Sequence, residues 1–210
     1  MFVQTYLLKI QQWYAGLNNK KNQIKNKIME EISLKPANTQ KLIYTALCVA
    51  IGLILPQIIK LIPIANIGAI ISPMHIPVLL SGFLCGVPFA AFCGIILPPL
   101  AFILTGMPPI YPVGISMIFE LGTYGALTAV LYRTTKGKIY PSLIGGMLGG
   151  RAVMGIANAI IFGVAGNPYG ISAFISGAFI NALPGIVIQL IVVPAIVYAL
   201  KKARLVPAVQ

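Results

Sequence analysis

From about residue 41 onward the chain is a succession of long apolar runs, broken by short clusters of Gly, Pro and basic residues. None of the runs alternates at period two, so a β-barrel is excluded and helices are predicted. At 1.5 Å rise per residue, a run of about 20 residues matches the roughly 30 Å hydrocarbon core of a bilayer. The first run covers residues 41–60, with Pro56 near its far end. Residues 62–73 read as a mostly apolar loop, closed by Ser72, Pro73, Met74 and His75. The chain is then apolar over 76–104 but cut at Gly86, Val87 and Pro88, which predicts a short helix and a longer one joined by a tight turn. A proline-rich loop over 105–112 leads to spans at 113–132, 140–164 and 171–200, the last two separated by Gly166 to Gly170. The pattern thus predicts an all-α integral membrane protein with six transmembrane helices.

Upstream, Val3, Tyr6, Leu7, Ile10, Trp13, Tyr14 and Leu17 fall at helical spacing and predict an amphipathic helix whose aromatic residues suit a headgroup boundary. No basic segment precedes a compact apolar core there, so it does not read as a secretory signal. Residues 18–40 are polar and Lys-rich, with a short helix suggested by Ile24, Ile28 and Ile32. The expected organisation is a cytoplasmic N-terminal extension over 1–40 and a membrane domain over 41–204.

Composition agrees: 58% of residues are apolar and 9% charged, against roughly a quarter charged in soluble domains. A net charge of +12 raises the question of nucleic acid, but position answers it. Six lysines precede the first span and Lys41 opens it, Arg133, Lys136 and Lys138 occupy one loop, and Lys201, Lys202 and Arg204 end the chain. This is the positive-inside pattern of a multi-pass plasma-membrane protein with both termini cytoplasmic, and no nucleic-acid motif accompanies it. Lys60 alone falls on the outer side. Cys48, Cys85 and Cys93 lie in or beside apolar segments without CxxC spacing and read as packing residues. The chain has one His, no Asp, no HExxH, no GxSxG and no P-loop, so neither an enzyme, a metal site nor a cofactor is predicted.

Ionisable residues inside spans cost roughly 2.5 to 3.5 kcal/mol on insertion scales, which makes each a functional candidate. Two exist, Glu120 and Arg151. Counting from the outer helix ends puts Glu120 about 12 Å deep, Arg151 about 20 Å, Asn158 about 9 Å and Asn181 about 15 Å. Arg151 and Asn158, seven residues apart, share a helix face. Together with Tyr124, one turn below Glu120, and His75 at the outer mouth of the second helix, these residues are placed to line a cavity open to the outside. The alternative is that Glu120 and Arg151 pair with each other and the amides tie helices together. Small residues recur as well. Ala46 and Ala50 form an AxxxA near the cytoplasmic end of the first span, and Gly145, Gly146, Gly149 and Gly150 form overlapping GxxxG patterns in the fifth.

That AxxxA, with SPMHIPVLLSGFLCG from Ser72, GMPPIYPVGISMIFELGTYG from Gly106, GGRAVMGIAN from Gly149 and SGAFINALPGIVIQL from Ser176, resembles the substrate-binding S components of energy-coupling factor (ECF) vitamin importers. The resemblance covers about residues 41–200 and leaves out the first 40. It implies a six-helix subunit that binds a vitamin-like small molecule in an outward-facing pocket roofed by the loop after the first helix. It also implies docking, through small residues of that helix, onto a membrane coupling protein (the T component) driven by two cytoplasmic ATPases. Within the family, PMHIPVLL with FELGTYG looks most like members that take pantothenate. Neighbouring groups take pyridoxine, hydroxymethylpyrimidine, riboflavin, niacin or queuosine precursors. Arg151 suits the carboxylate of pantothenate or niacin, whereas Glu120 is unfavourable beside an anion. The competing reading is a self-sufficient secondary transporter or channel with Glu120 as a proton site.

Overall fold

A computed structural model describes residues 2–63, 67–166 and 169–206. Among the described residues all regular structure is helical. The chain divides into two compact units, Met1–Gln40 and Lys41–Gln210. The first helix, α1 (Phe2–Ile59), contributes the first unit and opens the second. The polar stretch over 18–40, expected as a linker, is helical, in keeping with its content of Lys, Gln and Glu, all good helix formers.

In the second unit α1 is followed by α2 (Ile67–Ile71), α3 (His75–Leu84), α4 (Val87–Thr105), an irregular turn at Ile110–Gly114, α5 (Ile115–Thr134) and α6 (Ile139–Val164). After these come α7 (Ile171–Ile175), a wide turn at Ser176–Ile180 and α8 (Leu183–Lys202). Among the described residues five segments are long and apolar enough to cross a membrane: Asn38–Ile59, Val87–Thr105, Ile110–Thr134, Ile139–Val164 and Leu183–Lys202. At ten residues α3 is about 15 Å long, half a crossing. Gly86, at φ 80°, makes the tight turn from α3 into α4 in the left-handed region that glycine favours.

Two expectations are corrected. The loop over 62–73 contains α2. The last span, read as one helix over 171–200, is broken before Leu183, and Pro184 starts a fresh helix because its missing N–H belongs in a first turn. Asn181 therefore sits at the threshold of a span and not midway down one.

The centre of the bundle is α5, which packs against α3, α4 and α6, while α8 closes on α3. In lipid there is no hydrophobic drive between helices, so close packing must hold them together. Glycines make it close. A Cβ on Gly94 of α4 would run into the Leu121 backbone, and one on Gly125 into the Ala90 carbonyl. From α6, a Cβ on Gly146 would strike the Thr128 hydroxyl and one on Gly150 the Tyr124 ring. The overlapping GxxxG patterns of α6 thus face α5. Around this contact Leu79, Leu97, Leu121, Leu143, Val193 and Val197 are fully buried, and Cys48, Cys85 and Cys93 are buried free thiols. At one end of the bundle Lys201 donates to the Gly137 carbonyl (3.0 Å) and lies over the Tyr132 ring (5.2 Å to its centroid). The basic C-terminal turn and the basic loop after α5 therefore share that end.

Replacing Gly94 with Ala should lower stability by about 1 to 3 kcal/mol, the cost of forcing extra volume into a packed contact. Gly163→Ala, at an exposed helical site where a Cβ meets nothing within 4 Å, should leave it unchanged or slightly higher. Thermal unfolding in detergent compares the two, and equal melting temperatures would contradict the packing described.

Candidate functional site

Opposite the Lys201–Gly137 end, helix termini converge on a cavity of about 930 Å³. The C-terminal turns of α1 supply Leu53, Pro56, Gln57 and Lys60, and the segment before α3 supplies Ser72, Pro73 and Met74. His75 opens α3, Met117 and Glu120 come from the first half of α5, and Arg151 and Met154 from the second half of α6. The break before α8 contributes Ile180, Asn181 and Pro184. Prolines recur here, among them Pro184 in the first turn of α8, where a missing N–H leaves no hydrogen bond unmade.

Glu120 is 3% exposed, the only acidic residue after position 31, and it has partners. The Tyr124 hydroxyl, one turn further along α5, donates to its Oε1 at 3.0 Å. His75 Nε2 stands 3.6 Å from the same oxygen, a polar contact longer than a hydrogen bond. The imidazole also meets the Tyr124 ring edge-on, with centroids 5.3 Å apart. Tyr124 is itself fully buried and seated where Gly150 leaves room for its ring. His75 Nδ1 has no hydrogen-bond partner among the described residues.

Arg151 is 4% exposed and does not pair with Glu120: among the described residues the one ion-pair contact to that carboxylate is from His75. Its Nη1 donates to the backbone carbonyl of Ala178, tying α6 to the turn before α8, while its Nε is buried without a hydrogen-bond partner among the described residues. A buried guanidinium with a carbonyl but, among the described residues, no counter-charge in contact is an arrangement that favours an anion placed beside it, Glu120 acting on it only across space.

Of the six residues singled out from the sequence for a site, His75, Glu120, Arg151 and Asn181 line the cavity. Tyr124 lies beneath it, reaching it through Glu120. Asn158 does not line it; its amide faces the Tyr169 hydroxyl at 3.5 Å. Ala46 and Ala50 are exposed on a face of α1 with Leu42, Ile43, Leu47 and Ile54, away from the cavity. Sequence reasoning missed the walls. Four of the chain's seven methionines, Met74, Met107, Met117 and Met154, line the cavity, and their flexible, polarizable side chains suit a surface that adapts to an organic molecule. No sequence signal marked them, because methionine in an apolar run reads as core.

No group of three or more His, Cys, Asp or Glu residues that could hold a metal is found among the described residues. A family model described as "ECF transporter, substrate-specific component" matches residues 40–197. No curated protein and no solved structure matches the chain.

Tyr124→Phe should cost about 1 to 3 kcal/mol of stability, because it strips a buried carboxylate of its donor. Asn158→Ala, which removes one long, half-buried contact, should cost well under 1 kcal/mol. Thermal unfolding of the two purified variants checks this, and an unchanged Tyr124→Phe melting temperature would refute the role given to the hydroxyl.

Proposed function

We propose, for a chain that belongs to the substrate-specific component family of ECF transporters, that the cavity at the helix termini is where it captures a small molecule. As a member of that family the chain is a membrane-embedded transport subunit and not an enzyme. The observation that carries the proposal is the convergence of His75, Glu120, Arg151 and Asn181 on one methionine-walled cavity of about 930 Å³, within the size range of organic ligand sites. Pantothenate is the substrate we favour, ahead of pyridoxine, hydroxymethylpyrimidine, riboflavin, niacin and queuosine precursors, since its carboxylate suits Arg151 and its hydroxyls and amide suit His75 and Asn181.

In this reading the chain crosses the plasma membrane six times, α3 counting as a short span, with both termini in the cytoplasm. The basic residues of the loop after α5 and of the C-terminus support that orientation, and the cavity, at the other end of the bundle, then opens outward. The exposed Ala46 and Ala50 offer a face that a coupling protein can approach closely, with two cytoplasmic ATPases supplying the energy.

Equilibrium binding of pantothenate to the purified protein tests the proposal. Arg151→Ala should weaken binding by about 1.5 to 3 kcal/mol, roughly ten- to hundredfold, Asn181→Ala by less, and Asn158→Ala not at all. Binding of a different compound in the group would replace the substrate and keep the site. Failure of the folded protein to bind any of them would contradict capture, and full affinity in folded Arg151→Ala protein would move the site elsewhere.

A further inference from the structure

Four ionisable side chains line the cavity: Lys60, His75, Glu120 and Arg151. Their charges are not balanced. Glu120 is occupied from within the protein, its Oε1 accepting from Tyr124 and facing His75 Nε2. An N–H at Nε2 is present both in the imidazolium and in one neutral tautomer, so His75 can cover the carboxylate in either state. Among the described residues neither cation has a counter-charge in contact, Glu120 acting on Arg151 only across space. Arg151 spends Nη1 on the Ala178 carbonyl, a dipole and not a charge, and its Nε is buried with no hydrogen-bond partner among the described residues. Lys60, the one lysine or arginine between the first span and the basic loop after α5, stands exposed and lines the same cavity.

The geometry points to a cavity that selects a singly charged organic anion over a neutral compound of the same shape, its carboxylate seated at Arg151 and the Glu120 charge screened from it by His75 and Tyr124. This rests on the cavity being the capture site proposed above. The Arg151 edge that carries Nε is the one a carboxylate engages side-on, and a buried guanidinium gains most from such a partner because little solvent competes. Lys60 adds a positive field that favours entry of anions. Met74, Met117 and Met154 face the remainder of the molecule with apolar surface, so a compound charged along its whole length would leave part of its charge unpaired. Tyr124 is a positioning residue in this scheme, acting on the ligand through Glu120, whereas His75 both covers Glu120 and lines the cavity itself.

The test uses two pairs of compounds that share a body and differ in charge: pantothenate with its alcohol panthenol, and nicotinate with nicotinamide. Binding is measured on the full-length protein in detergent, and whatever co-purifies with it is identified by mass spectrometry. In any pair that binds, the acid should bind at least about tenfold more tightly than its neutral partner. Arg151→Gln should abolish that preference. His75→Gln, which uncovers Glu120, should weaken the acid more than the neutral compound, an asymmetry that simple loss of folding cannot produce. The comparison on unaltered protein stands even if a variant fails to fold. Equal or tighter binding of a neutral partner, a neutral co-purifying compound, or a bound acid indifferent to Arg151→Gln would each overturn the inference while leaving capture intact. If no compound binds and none co-purifies, capture itself fails.

Discussion

A carboxylate buried in an apolar helix bundle survives only with partners at hand, and Glu120 is such a group. The surrounding packing serves that requirement. Tyr124 stands below it as a donor because one helical turn brings residues four apart together. The ring of Tyr124 fits there because Gly150 of α6 has no side chain, and α4 can lie against α5 because Gly94 and Gly125 let backbones touch. His75 reaches the carboxylate because α3 begins at the cavity, its first residue already inside the protein. Any one of these glycines enlarged would push a helix away from the carboxylate it helps enclose.

The close packing ends where the helices end, and the cavity lies there. Prolines, short helical pieces and a broken last span replace regular helix, exposing polar side chains to a volume walled by methionine. Arg151 joins the two regions, with its guanidinium fixed to the carbonyl of Ala178 and its stem rising from the glycine-rich face of α6. In the proposed reading this cavity holds a small molecule, and no P-loop or other ATP-hydrolysis motif is found in the sequence. Such a division between capture and energy input is what the substrate-specific component of an ECF transporter embodies.

The long spans were legible in the sequence because uncharged apolar runs of membrane length are rare in soluble chains, and the turn at Gly86 because glycine beside proline punctuates a helix. Glu120 and Arg151 stood out through the cost of burying them, and both line the cavity. What depended on tertiary arrangement was hidden. The pairing of His75 with Glu120 joins residues 45 positions apart on two helices, and no periodicity reveals it. Asn158 shares a face with Arg151, yet two turns put it about 10 Å further along the axis, beside Tyr169. The break before Leu183 was missed although Asn181, Pro184 and Gly185 mark it, because the apolar residues on both sides of it add up to a run long enough to be read as one span.

Whether this chain captures a solute while another machine moves it is decided by uptake of radiolabelled pantothenate in cells that lack their own pantothenate transport. The chain is expressed alone, or together with a coupling protein and its two ATPases. Accumulation should require the coupling protein and active ATPases, with the chain alone giving binding and no concentration gradient. Accumulation by the chain alone, driven by an ion gradient, would contradict that division of labour and make Glu120 part of a self-sufficient carrier.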